Sequence, residues 1–294
     1  MKYGAAVIAL ALAGLVAGAS APAAEIEEGD QPTLDQLKTV LMTGSIRGRE
    51  AAAERLAALR TPEATAVLID GFADSMAAYL AADALEKAVK TNSEGMTALL
   101  IPGLAHKDFR ARMLTAYMVG LCRDAAGSVP LSKLLKDDNY NVRMYAAEAL
   151  RTSGDKNAVP ALVEALKDSY PLVRMHAAAA LGVIKDASAV PGLTAALEDS
   201  AAAINAAAAL GAIGGAEAET GLLKRIRDPQ RGVAWAAIEA LGACGRNPET
   251  AAALKTLAVS AADARTKKEC VTAIAAILGR ASPAVSERTR RAGQ

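Results

Sequence analysis

The sequence predicts an all-α protein, a solenoid built from stacked antiparallel helix pairs. Hydrophobic residues make up 52% of the chain and aromatic residues only 3%, so the apolar content is mostly alanine with leucine, valine and isoleucine. Alanine is the best helix former and lets helices approach closely, whereas the aromatic residues that favour strands are scarce. An apolar segment with helical periodicity also recurs about every thirty residues, which is typical of a repeat array.

Four copies of the recurring segment align clearly, at residues 142–150, 173–182, 202–211 and 233–242. Their terminal leucines are 31, 29 and 31 residues apart. Each copy is followed by a turn and then by a second apolar helix, as at 158–166 and 189–197. Fainter copies of the first helix lie at 51–59, 77–85, 111–120 and 270–279. Because one helix pair cannot bury its apolar stripe alone, the pairs are expected to share one continuous core.

Individual residues fit the roles that this architecture requires. Four apolar side chains of one first helix lie on a single arc at i, i+4, i+7 and i+8: Val142, Ala146, Ala149 and Leu150. Asp155 and Asp186 stand before second helices and are predicted to be their N-caps. Thr33 is predicted to cap a short helix over residues 34–42, which would cover the first repeat.

The repeat resembles a known family. The pattern Asp-x-x-x-x-Val-Arg-x-x-Ala-Ala-x-Ala-Leu-Gly, followed by Ala-Val-Pro-x-Leu-x-x-Ala-Leu, is similar to the HEAT-like repeat also found in phycobilin lyases, and is clearest over residues 107–245. The resemblance implies a right-handed α-solenoid of about eight helix pairs over residues 25–281. It also implies a scaffold of the armadillo-like kind, whose concave groove is the common binding surface.

The resemblance further implies a ladder of hydrogen-bonded acid–arginine pairs along the stack. Asp137 with Arg143, and Asp168 with Arg174, share a spacing of six residues. His106 stands in the position of the acid before Arg112, and Ala203 and Ala234 stand in the position of the arginine in later repeats. The ladder is therefore expected to be confined to the middle repeats.

Both ends of the chain are expected to lie outside the solenoid. Lys2, the uncharged apolar run 5–19 and the small residues up to Ala24 predict a signal peptide over residues 1–24 and export to the periplasm or the cell exterior. An uncleaved anchor is the less favoured alternative, because the run is shorter than the ~20 residues of a spanning helix. No stable membrane insertion is expected after cleavage. Residues 282–294 are polar, contain three arginines and are predicted to form a flexible tail, with a basic contact as the alternative.

No arrangement of residues predicts catalysis or a cofactor. Neither histidine, His106 or His176, is followed by glutamate, and the spacing of a metal site or a phosphate loop is missing. The net charge of +1 gives no electrostatic reason to expect nucleic acid as a partner. The repeat register separates Cys122, Cys244 and Cys270, so three unpaired thiols and no disulfide are predicted. A catalytic or bilin-attaching cysteine is the minor alternative.

Two surfaces are candidates for binding a protein or peptide. One is an apolar stripe on the first helices, which neighbouring helices would cover in the alternative interpretation: Tyr79, Met113, Tyr117, Met144, Tyr145, Met175, His176, Ile204 and Trp235. The other is the concave face of the second helices, which is otherwise a solvated charged surface: Lys133, Lys136, Glu164, Lys167, Lys224 and Arg227. The predicted function is that of an exported, non-catalytic scaffold. The alternatives are a tetrapyrrole-binding accessory factor similar to the phycobilin lyases and a structural module of an envelope complex. The oligomeric state stays open.

Overall fold

The computed structural model describes residues 31–281. The predicted signal peptide and the predicted tail at 282–294 lie outside these residues. Between residues 31 and 281 all regular secondary structure is helical, so the predicted all-α solenoid is confirmed. The chain divides after Ser153 into two units, each described by itself.

The first unit contains eight α-helices within its described part. They are α1 (Leu34–Thr43), α2 (Ile46–Leu59), α3 (Pro62–Ala73), α4 (Ala78–Thr91), α5 (Met96–Leu100), α6 (Phe109–Cys122), α7 (Ser128–Leu134) and α8 (Tyr140–Ser153), with 3₁₀ turns at Ile101–Ala105 and Ala125–Gly127. The first helices of the repeats are α2, α4, α6 and α8, and each packs against the next. The helix α1 packs on α2 and begins with the predicted Thr33 cap, where Thr33 and Gln36 form a reciprocal capping box.

The second unit continues the same alternation. Its helices are α9 (Val159–Ala165), α10 (Pro171–Ile184), α11 (Val190–Ala196), α12 (Ala203–Ile213), α13 (Ala216–Leu223), α14 (Arg231–Cys244), α15 (Pro248–Ser260) and α16 (Ala264–Ala281), with 3₁₀ turns at Lys156–Ala158 and Ala187–Ala189. The first helices α10, α12, α14 and α16 pack in sequence order. With the four of the first unit they make eight first helices in the described part of the chain, as predicted.

The core lies where the apolar arc of each first helix meets its neighbours. The four side chains of the arc predicted in α8 are each at most 2% exposed: Val142, Ala146, Ala149 and Leu150. Their equivalents in α10, Val173 and Leu181, are fully buried. Burying such apolar surface supplies most of the favourable free energy of the fold.

Glycines near the ends of first helices permit very close helix contacts. A Cβ atom added to Gly120 would lie 2.9 Å from the Cα atom of Ala149 on the next first helix. Three contacts in the second unit repeat this geometry at 2.9, 2.8 and 3.0 Å, namely Gly182 with Ala209, Gly211 with Ala240 and Gly242 with Ala273. Carbon atoms in contact normally lie about 3.5–4.0 Å apart. A side chain at these glycines would therefore push neighbouring repeats apart.

The aspartates before the second helices cap a different element from the one predicted. Asp155 accepts a hydrogen bond from the amide of Asn157, and Asp186 accepts one from the amide of Ser188, both at 3.0 Å. Each therefore caps the 3₁₀ turn that precedes the second helix, not the helix itself. These aspartates do not cap the α-helices because a proline occupies the first turn of α9 and of α11, and proline has no amide hydrogen to donate to a capping side chain.

Candidate functional site

The acid–arginine ladder is present but pairs different residues from those predicted. In the first unit, Nε and Nη2 of Arg112 donate to the carboxylate of Asp137 at 2.7 and 2.9 Å, across 25 residues. Nη1 of Arg112 donates to the backbone oxygens of His106 and Lys107 at 2.8 and 3.0 Å. The position six residues before the arginine thus supplies a carbonyl, and His106 does not interrupt the ladder.

The second unit repeats this geometry. Nη1 of Arg174 donates to the backbone oxygen of Asp168 at 2.8 Å, and Nη2 pairs with the carboxylate of Asp199 at 2.8 Å. Within the first unit, Arg143 likewise donates to the backbone oxygen of Asp137 at 2.8 Å. Burial raises the pKa of Asp137, but hydrogen bonds from Arg112 and the amide of Asn139 outweigh it and leave the pKa below its usual value. The ladder arginines and aspartates therefore form contacts that link adjacent repeats.

The apolar stripe predicted in the first unit is only partly open. Met113 is 6% exposed and cannot contact a partner, whereas Tyr79 is 40% exposed. The rings of Tyr117 and Tyr145 pack edge to face with centroids 6.2 Å apart, and both side chains are half-buried, as is Met144. The Tyr117 hydroxyl donates to Glu86 at 3.2 Å, and burial together with that carboxylate raises its pKa to about 12. These tyrosines join α4, α6 and α8.

The stripe residues of the second unit are also half-buried, with one exception. Ile204 is 49% exposed, whereas Met175, His176 and Trp235 have intermediate exposure. The indole Nε1 of Trp235 donates to Oγ1 of Thr266 at 3.0 Å, and the Arg265 guanidinium lies 3.8 Å from the centre of the ring. Covering by neighbouring helices therefore accounts for much of the stripe.

All six residues predicted on the concave second-helix face are exposed, but most lie beyond the helices. Lys133 and Glu164 belong to α7 and α9, whereas four basic residues follow the ends of α7, α9 and α13: Lys136, Lys167, Lys224 and Arg227. The second helices are shorter than the periodicity suggested. Basic side chains at these ends complement the partial negative charge of the last carbonyl groups.

The sequence did not single out a set of exposed apolar residues where first helices begin. Of the thirteen exposed large hydrophobic residues in the described part of the chain, seven lie within two residues of the start of a first helix. We call them the helix-start set: Ile46, Met76, Tyr79, Phe109, Tyr170, Leu172 and Ile204. Tyr79 and Ile204 belong to the predicted stripe, and the others do not. The sequence does carry one signal of this set: aromatic residues 31 positions apart, Phe109 and the half-buried Tyr140, begin the first helices α6 and α8.

In the first unit, three members of the helix-start set lie on adjacent elements. Helices α4 and α6 pack against each other, and Nη2 of Arg110 at the start of α6 donates to the backbone oxygen of Ala73, the last residue of α3, at 2.6 Å. Met76 and Tyr79 lie at the start of α4 and Phe109 at the start of α6, and they are 43, 40 and 38% exposed. All three are exposed apolar side chains at the starts of helices that pack against each other.

The cysteines are unpaired thiols, with Cys122 and Cys270 buried and Cys244 partly exposed. Burial, and then the charge of Glu219, raises the pKa of Cys244 to about 11. Glu219 is 8% exposed and accepts hydrogen bonds from the amide of Asn247 at 3.2 Å and from the Thr250 hydroxyl. Asn247 is the N-cap of α15, and Glu219 links this cap residue and the first turn of α15 to the neighbouring helix α13.

Residues 31–281 contain no group of three or more histidine, cysteine, aspartate or glutamate side chains that could hold a metal ion. In the same part of the chain, none of the helices combines the length and the apolar character needed to cross a bilayer.

Stacked helix pairs joined by part-buried ladder contacts define the class of this protein as an α-solenoid of tandem repeats. The family model of HEAT repeats matches residues 128–204 and 198–275, which together cover half of the chain. The chain therefore belongs to the HEAT-repeat family, and the resemblance noted in the sequence is confirmed. Comparison with the curated proteins gives no match.

Solved structures of similar fold include an engineered protein at 24% identity and a TM-score of 0.53, covering 83% of this chain and 78% of that one. A chain of the Kap95p–RanGDP structure is 15% identical with a TM-score of 0.52, covering 88% of this chain and 44% of that one. These two show a shared fold. The complex of CpcE and CpcF of phycocyanin lyase from Nostoc sp. PCC7120 is 25% identical over 62% of this chain and 76% of that one, with a TM-score of 0.48. That TM-score is too low to support a conclusion about activity.

Proposed function

We propose that this protein is an exported, non-catalytic HEAT-repeat scaffold that binds a protein or peptide through its helix-start set. The observation that carries the proposal is the concentration of exposed large apolar side chains where first helices begin. Export is supported by the signal-peptide pattern of residues 1–24.

The physical support comes from the exposure of these side chains. The core is formed by the apolar arcs of the helices, so exposed residues at the helix starts contribute little to its stability. Exposed apolar patches of this kind mark interaction sites, and aromatic side chains contribute heavily to binding energy. Methionine adapts to varied partner shapes. Met76, Tyr79 and Phe109 combine these properties at the starts of α4 and α6, two helices of the first unit that pack against each other.

The first experiment identifies the partner and then measures its affinity. Affinity purification from the native envelope with mass spectrometry supplies candidates, whose dissociation constants are measured with the purified chain by calorimetry. Replacing Tyr79 and Phe109 by serine is expected to weaken binding by about tenfold or more, because two contact side chains are lost. The matched control replaces Leu59 and Val129 by serine, since these are 50 and 59% exposed but do not lie at the start of a first helix.

Equal affinities for the wild type and the Tyr79/Phe109 variant would refute binding at the helix-start set. A pigment absorbance band in the purified protein, without a captured partner, would favour a tetrapyrrole-binding factor instead. Export is tested separately by sequencing the N-terminus of the native protein. A start at Ala24 or Glu25 is expected, and an intact Met1 would contradict cleavage of a signal peptide.

A further inference from the structure

The last described helix, α16, exposes an apolar face that its counterparts in the same unit bury. Val271 and Leu278 are 61 and 53% exposed, Ala275 is exposed, and Ile274 has intermediate exposure. Their spacing of i, i+3, i+4 and i+7 places all four on one side of the helix. On the adjoining helix α15, Val259 is 80% exposed.

The glycine contacts show which residues of α14 correspond to this face. Gly211 meets Ala240 on α14, and Gly242 meets Ala273 on α16 in the same way, so Ala240 and Ala273 are equivalent and 33 residues apart. By this register, Val271 and Ile274 correspond to Ile238 and Leu241.

The residues of α14 at these positions are fully buried. Ile238 and Leu241 are 0% exposed, and Gly242 is buried against α16. In α14 this face packs against the next first helix, whereas in α16 no described element covers it. The exposed face of α16 therefore has the form of an inter-repeat surface and is shaped to receive a helix.

The charges around the face indicate the chemistry of that helix. Lys267 and Lys268 are exposed on α16, and Lys255 is exposed on α15. Arg265 and Arg280 are also on α16, but they contact the Trp235 ring and the backbone oxygens of Gly242 and Gly245. Pairing two copies of α16 would bring these cations together, which disfavours a second copy of the chain. Residues 282–294 are a poor match too, because Val285 is their one large aliphatic residue and their net charge is positive.

We propose that the exposed face of α16 binds an amphipathic helix of a partner protein, with acidic residues flanking its apolar stripe. The partner helix takes the position that a following first helix would occupy. Its leucine-like side chains cover Val271, Ile274 and Leu278, and its carboxylates meet Lys267 and Lys268. This site is separate from the helix-start set and does not depend on it.

The test uses the full purified chain and two designed helical peptides with the same leucine stripe, one flanked by glutamate and one by lysine. Fluorescence anisotropy is expected to show at least tenfold tighter binding of the glutamate peptide. Replacing Val271 and Leu278 by serine should weaken that binding at least tenfold without changing Tm, because both side chains are exposed. Leu59→Ser, at an exposed site in the other unit, is the matched control and should bind like the wild type.

Charge reversal at Lys267 and Lys268 to glutamate should invert the preference between the two peptides. Equal binding of both peptides, or no effect of the Val271/Leu278 variant, would overturn the proposal. A dimer in sedimentation that the same variant dissociates would assign the face to a second copy. Tighter peptide binding after truncation at Ala281 would assign it to residues 282–294. Either result would also overturn the proposal.

Discussion

The close contact at Gly211 leads to a prediction that separates packing from helix propensity. We expect Gly211→Ala to destabilise the protein, although alanine favours a helix over glycine by about 1 kcal/mol. The added Cβ atom would lie 2.8 Å from both Cα and Cβ of Ala240. Ordinary carbon contacts are about 3.5–4.0 Å, so α12 and α14 must separate by several tenths of an ångström.

The expected size follows from these two opposing terms. Overpacking a well-packed contact costs about 1–3 kcal/mol, and a clash with backbone belongs to the upper part of that range. Subtracting the gain in helix propensity leaves a net loss of about 1–2 kcal/mol. Urea unfolding followed by circular dichroism measures this difference, with Gly279→Ala as the matched control. Gly279 lies in α16 with nothing within 4 Å of an added Cβ, so that variant should be unchanged or slightly more stable.

The double variant Gly211→Ala with Ala240→Gly removes one of the two clashing atoms. We expect a favourable coupling between the two changes in a double-mutant cycle. If Gly211→Ala proved as stable as Gly279→Ala, the inference that glycine sets the distance between these helices would be wrong.

Three further predictions concern charge and spectroscopy. Arg112→Met should cost about 1–3 kcal/mol, because it removes the cationic partner of the Asp137 carboxylate at a site where that side chain is 8% exposed. Since the pKa of Asp137 is lowered on folding, its stabilisation is present above its unfolded pKa of about 4 and is lost as the pH falls through the folded pKa. Urea unfolding of this variant should therefore show a flatter decline from about pH 5 to pH 2, and a decline parallel to the wild type would contradict the assignment. The Cys244 thiol, with a pKa of about 11, should form about a hundredfold less thiolate at pH 8 than a thiol with a pKa of 9.0. Peptide mapping after iodoacetamide treatment should therefore show slow alkylation of Cys244 unless urea is added. Arg265→Ala should uncover one side of the single tryptophan and shift its emission to longer wavelength, whereas Lys267→Ala should not; identical spectra would argue against the contact.

The architecture could be predicted from the sequence because the same residue types recur at equivalent positions in several repeats. The arc of Val142, Ala146, Ala149 and Leu150 is buried as predicted, and the Thr33 cap is where the residue types place it. Helical periodicity assigns a residue to a face by angle alone. It does not tell how far a neighbouring side chain covers that face, which is why Met113 is buried and Met144 is half-buried in corresponding positions.

The ladder shows a different limit of sequence reasoning. In a periodic chain, an acid near an arginine in one repeat is also near the arginine of the repeat before it. The spacings of six and of 25 residues are then equally compatible with the pattern, and only the fold shows that Arg112 reaches the side chain of Asp137 but the backbone of His106. The helix-start set is not evident from the sequence for a related reason, since its residue types vary from repeat to repeat.

The direction of the ladder has a consequence for how such a chain changes during evolution. Arg112 and Asp137 meet although they belong to different tandem copies, and so do Arg174 and Asp199. Loss of one charge removes the ion-pair partner of a residue in the adjacent copy. Compensating substitutions should therefore covary at a separation of about 25 positions and not of six. The Arg112 guanidinium bridges one copy to the next, so a copy inserted or removed by unequal recombination keeps the bridge only if the cut preserves that spacing.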